Sequence, residues 1–176
     1  MTKTSQRLAL AVTSVLVAGL VACSTVQVST DYDSTANFSQ YKTFSFMPMG
    51  KINSITAGRI ESAITQALQG RGLQKASGTG DLQVSVQARR SHEKVITSTG
   101  YGWGRGWRGG TGVTTVQNVP VGTLIVDLVD ASANKLVWRG TATDTIDRSS
   151  TGREKQEALD SAMAKLFAGY PPGPGQ

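Results

Sequence analysis

The chain has 176 residues and a mass of 18.5 kDa, enough for one compact domain and too little for two of ordinary size. Its single cysteine excludes an intramolecular disulfide, and its single histidine excludes a metal site built on a histidine cluster. Hydrophobic residues make up 39% and the formal charge is +6, part of it on a segment that the mature protein is not expected to keep.

Met1 to Arg7 is polar and carries Lys3 and Arg7, and the mainly apolar run Leu8 to Ala22 follows. A spanning helix takes about 20 apolar residues, so this shorter run with a positive lead-in reads as a secretory signal peptide over residues 1–22. Leu20-Val21-Ala22-Cys23 resembles a bacterial lipobox, which implies that the Cys23 thiol is lipidated and that cleavage makes it the first residue. The plainer alternative is an ordinary signal peptide that happens to precede a free cysteine. Ser24 stands where inner-membrane lipoproteins of Gram-negative bacteria commonly carry Asp, so the resemblance implies an outer-membrane address facing the periplasm. Removing residues 1–22 leaves 16 basic and 12 acidic side chains, a surplus small enough to be a solubility feature.

Residues 23–30 form the lipidated cysteine and a short tether, residues 31–170 a single domain, and residues 171–176 a Pro/Gly tail. Val26 and Val28 alternate with polar residues as a first strand. Tyr41 to Met47 alternates again, with Phe44 and Phe46 on one face, the pattern of a half-buried strand. Ile60, Ala63, Ile64, Ala67 and Leu68 form a stripe at helical spacing, predicting a helix from about Thr56 to Gln69 that Gly70 and Gly72 stop. Leu82, Val84, Val86 and Ala88 alternate cleanly with polar residues. Leu124 to Val129 reads as a central strand, Ala131 to Lys135 as a turn, and Leu136 to Thr145 as a returning strand with Leu136 and Trp138 on one side. Thr151 and Glu154 have capping-box spacing before a last helix whose buried stripe is Leu159, Ala162, Met163, Leu166 and Phe167. The order β-β-α-β-β-β-α predicts an α+β domain, an antiparallel sheet with two helices packed on one face. The other face would show polar residues such as Thr43, Gln83, Arg89, Arg139 and Thr141 to water.

Several stretches together resemble the domain-of-unknown-function 4136 family of bacterial lipoproteins. They are Asp31-Tyr32-Asp33 through Phe38-Ser39-Gln40-Tyr41-Lys42-Thr43-Phe44, Gly122 to Asp130, Lys135 to Ala142, and Ala164 to Pro172. One departure is Ser132-Ala133-Asn134, where the family usually has a Thr-Gly pair; asparagine can replace glycine at positive φ. The resemblance implies a lipoprotein address and a fold, with no activity and no catalytic residues to carry over.

Residues able to do chemistry are sparse. His92 and Glu93 are neighbours, but adjacent strand residues point to opposite faces, so no acid–base pair is expected. Asp127 is expected to face Arg139 or Arg89 across the polar sheet face, and Asp130 to build the turn. No serine stands in a nucleophile elbow. Gly104-Arg105-Gly106-Trp107-Arg108-Gly109 matches G-x-G-x-x-G, but the β-prone Thr111 to Val116 follows it where a dinucleotide site needs a helix. No catalytic residue, metal or cofactor is expected, and an exported protein has no ordinary nucleic-acid partner.

The least ordinary stretch is Gly100 to Gly112, with seven glycines in thirteen residues. It reads as the tip of a long hairpin whose arms are His92 to Ser98 and Val113 to Val121. Either it is a plain flexible loop, or Tyr101, Trp103, Arg105, Trp107 and Arg108 form an exposed contact with a membrane or partner, since exposed tryptophan is unfavourable in water unless covered. The expectation is a non-enzymatic binding or structural accessory of the cell envelope, anchored in the outer membrane through Cys23, with an envelope protein or glycan as partner. The alternative is a carrier or sensor of a small amphiphile or glycan. The sequence leaves the oligomeric state open.

Overall fold

The computed structural model describes residues 26–99 and 113–173. In chain order the elements are β1 (Gln27–Tyr32), a 3-10 turn (Phe38–Gln40), β2 (Thr43–Phe46), α1 (Ser54–Gln69), β3 (Gln74–Lys75), β4 (Leu82–Thr99), β5 (Val113–Asp130), β6 (Lys135–Thr145) and α2 (Gly152–Leu166). The strands form one sheet in the order β1-β6-β5-β4-β2-β3. The domain is α+β, and apart from one short extra strand the order of strands and helices is the one the sequence patterns predict.

Local chemistry sets the element ends. Asn53 caps α1 by accepting from the Thr56 amide at 3.0 Å. Thr151 and Glu154 close the expected capping box on α2: the Thr151 hydroxyl accepts from the Glu154 amide, and the Glu154 carboxylate accepts from the Thr151 amide at 2.6 Å. At the β5–β6 turn Asn134 takes φ +48°, the left-handed conformation expected of it. Asp130 holds the same turn, its Oδ1 accepting from the amides of Ser132 and Ala133 at 2.8 and 3.0 Å.

Four details depart from the sequence reading. The sheet is antiparallel across β1, β6, β5 and β4, but β2 runs parallel to both β4 and β3. The cause is the connection: α1 separates β2 from β3 and β4, and a helical crossover returns the chain in the same direction. Strand β3 is an extra two-residue edge whose polar Gln74 and Lys75 carry no alternation to read. Leu136 does not share a face with Trp138. A register shift at Leu128 and Val129 pairs Leu128 with Trp138 and Val129 with Leu136, leaving Val137 as an added residue. Such a bulge breaks the alternation, so Val137 and Trp138 are both buried while Leu136 is 41% exposed. At the end of α1, Gly70 keeps a right-handed φ of −61° and the positive φ falls on Gly72.

The core lies between the sheet and the helices. Phe44, Leu82, Val84, Val126 and Leu128 meet Ile64, Leu68, Met163 and Leu166, all at or below 1% exposure. Near the ends of β1 and α2, Trp138 stacks on Phe167 with centroids 4.8 Å apart, and Tyr170 packs edge-on against both rings. Among the described residues this cluster runs from Val26 to Tyr170.

Candidate functional site

Two features of the described residues stand out as able to bind something. The first is a groove. Rows of side chains on the helix-facing side of the sheet are bulky at the Trp138 end and smaller beyond it. Val84, Leu128 and Trp138 share one row, and Val86, Val126 and Gly140 the next. The third row is Ala88, Leu124 and Ala142, and the fourth is Arg90, Gly122 and Asp144. Small residues there leave a space of about 540 Å³ under the first turns of α2, with Ile60, Ala158, Leu159 and Met163 on its helical side. That volume falls within the range of small-molecule sites, about 300–1,000 Å³.

The rim is charged. Arg59, Arg89, Arg90 and Lys155 supply cations, and Asp144, Asp147 and Glu154 supply carboxylates. The acids are engaged locally. Asp147 accepts from the Ser149 amide and hydroxyl at 2.8 and 2.6 Å, which holds its carboxyl below the usual range. Glu154 is lowered by its bond to the Thr151 amide, and Asp144 accepts from the Thr145 amide at 2.8 Å. By contrast, no ion pair among the described residues involves Arg59, Arg89 or Arg90. Gly152 opens α2 directly beside Arg59; a Cβ added there would lie 2.9 Å from its Nη2.

The second feature is a two-stranded ribbon. Strands β4 and β5 pair without interruption from Leu82–Asp130 out to Thr99–Val113. Neighbouring strands stop early: β2 reaches only Val84, and β6 ends with Thr145 opposite Val121. From Ser91 to Thr99 and from Val113 to Val119, no third strand among the described residues pairs with either arm. Ile96 and Val116 face each other across this ribbon at 65% and 57% exposure.

Of the residues that sequence reasoning singled out, Cys23 and the loop residues Tyr101, Trp103, Arg105, Trp107 and Arg108 lie outside the described residues. His92 and Glu93 are exposed on successive positions of the ribbon, opposite Pro120 and Val119. Asp127 and Arg139 form a bidentate pair on the outer sheet face at 2.6 and 2.7 Å, and the carboxylate raises the guanidinium pKa. Asp130 also accepts from the Tyr41 hydroxyl at 2.9 Å, and its bonds to Ser132, Ala133 and Tyr41 lower its pKa to about 2. These acids therefore serve the sheet and the turn. Among the described residues no group of three or more His, Cys, Asp or Glu side chains could hold a metal ion, and no helix is long and apolar enough to cross a membrane. The residues that form the groove are what sequence reading missed; the signal would have been small residues at Ala88, Gly122 and Ala142, which are far apart in the chain.

A family model for a domain of unknown function, DUF4136, matches residues 28–172. The chain belongs to that family. No curated protein matches it in sequence. A crystal structure of a PDZ domain protein from Parabacteroides distasonis is similar at 15% identity and a TM-score of 0.58. The match covers 84% of this chain and 36% of that one, so this chain spans about a third of that protein's length and shares a fold with that part alone. A PelC dodecamer from Paraburkholderia phytofirmans is similar at 19% identity and a TM-score of 0.47, over 81% of this chain and 95% of that one.

Proposed function

We propose that this protein is an accessory of the bacterial cell envelope, held at the periplasmic face of the outer membrane through lipidated Cys23, that acts by gripping a partner rather than by catalysis. The observation that carries this reading is the ribbon, neither edge of which pairs with a third strand among the described residues. An isolated two-stranded hairpin is marginally stable in water, and each free edge offers a row of backbone donors and acceptors to an added strand. The ribbon carries His92 and Lys94 beside Glu93, with an exposed apolar pair in Ile96 and Val116. Mixed charge around a small apolar centre suits a protein surface, so the partner is read as an envelope protein that lends a strand. A photoreactive residue at Thr97, in intact cells, is expected to give one discrete adduct that Ile96→Ser with Val116→Ser removes without lowering the melting temperature. An adduct that persists in the double variant would overturn the ribbon as the contact.

A second reading, a carrier or sensor of a small amphiphile or glycan, is favoured by one observation of its own, the groove beneath α2.

A further inference from the structure

The groove has three properties that bear on what could occupy it. Its lining is largely hydrocarbon, with Leu124 and Ala142 on the sheet floor and Ile60, Leu159 and Met163 on the helical side. No aromatic side chain among the described residues lines it, so these residues offer a sugar ring no face to stack on. Its rim carries the guanidinium groups of Arg59 and Arg90, which make neither an ion pair nor a side-chain hydrogen bond among the described residues. Arginine carries five donors in a planar fork that fits a carboxylate in two parallel bonds. An apolar trough ending in guanidinium groups that have no ion pair among the described residues is complementary to a chain that ends in a negative charge.

The number of charges on that head follows from the rim. Asp144, Asp147 and Glu154 stand on the same rim as the cations. They oppose a second negative charge, which favours a singly charged head over a doubly charged phosphate. We infer that the groove binds a fatty-acid carboxylate, with its hydrocarbon on the floor under α2 and its carboxylate held by Arg59 and Arg90. The inference rests on the carrier reading of the groove and is independent of the ribbon. Its size limit comes from the small residues: Ala88 and Ala158 line the groove and are exposed, so a larger side chain at either would fill the space without displacing a core contact.

The test uses the chain from Ser24 onward, which contains every core residue described, with laurate and dodecanol as probes, each below the concentration at which it self-associates. Titration calorimetry is expected to show one laurate per chain, bound at least tenfold more tightly than dodecanol. Ala158→Trp should weaken laurate at least tenfold while the domain still melts cooperatively; if it does not, Ala88→Leu makes the same test from the opposite wall. Arg59→Gln with Arg90→Gln should weaken laurate at least tenfold and leave dodecanol unchanged. Absence of saturable laurate binding would overturn the inference, as would tight binding to a folded groove-filling variant. Equal affinity for laurate and dodecanol, lost together in Ala158→Trp, would refute the charged head while leaving a carrier of neutral apolar ligands standing.

Discussion

Trp138 is the side chain on which the reading of β6 turns. It is 2% exposed, stacked on Phe167 with a centroid distance of 4.8 Å and an interplanar angle of 18°. Its indole also covers Gly140, where an added Cβ would meet Trp138 Cη2 at 2.4 Å and Leu166 Cδ1 at 2.9 Å. Trp138→Ala therefore removes a buried ring, its aromatic partner and the cover over a bare stretch of backbone. Large-to-small changes of this kind cost about 3–5 kcal/mol. For a domain of this size that corresponds to a fall of roughly 6–20 °C in melting temperature. Gly140→Ala should destabilise from the opposite direction, by about 1–3 kcal/mol, because the new methyl has no room. The geometry makes a sharper demand on the pair. Once the indole is gone, a methyl at position 140 occupies vacated space, so the double variant should lose less than the sum of the single losses. Urea denaturation of the four proteins, with equal m-values, measures the coupling. Additive losses would show that the indole does not lie over Gly140, and an unchanged midpoint for Trp138→Ala would place the bulge at another residue.

A Cβ at Gly80 would lie 2.6–2.8 Å from backbone atoms of Phe44, which cannot rotate aside, so Gly80→Ala should lower the melting temperature by disturbing the parallel pairing of β2 with β4; an unchanged melt would contradict that close approach. Asp130 has its pKa lowered from 3.8 to about 2 by bonds that exist only in the folded turn. Its contribution is thus complete above 3.8 and lost as pH falls through about 2, and Asp130→Asn should show a shallower loss of stability across that window than the parent. Cys23→Ala should release the protein into soluble fractions or leave residues 1–22 uncut; a mature protein of unmodified mass that still sediments with membranes would refute lipidation. Trp103→Ser with Trp107→Ser should leave the melting temperature nearly unchanged and weaken partner or membrane association, whereas a large loss of stability would show that the loop serves the core.

Much of the fold was legible because its signals are short-range. Alternation over Leu82 to Ala88 needs only neighbours two apart, and Val84 and Val86 lie in the core as that alternation requires. Thr151 and Glu154 are three apart, and each satisfies the other's backbone amide without help from the rest of the chain. Asn134 and Asp130 likewise build their turn from atoms within four residues. The pairing of Asp127 with Arg139 was readable down to a choice of two arginines, since strands joined by a tight turn bring same-face residues together.

The features that escaped are those set by residues distant in sequence. The direction of β2 depends on where α1 delivers the chain, and Phe44 alternates in the same way in a parallel or an antiparallel neighbour. The bulge at Val137 is a one-residue mismatch between two strands that each alternate normally, so neither strand alone carries it; it shows only when Leu128 is counted against Val137 and Trp138 together. The groove has the same origin. Ala88, Gly122 and Ala142 are unremarkable one at a time, and become a floor only because pairing sets them in adjoining rows beneath Ala158 and Leu159. Arg90 then gains its meaning from Gly122 opposite it, which supplies no side chain to cover the guanidinium. A candidate binding site made of what is missing from three strands leaves no local pattern, which is why the charged loop drew the eye in the sequence and the groove emerged from the register.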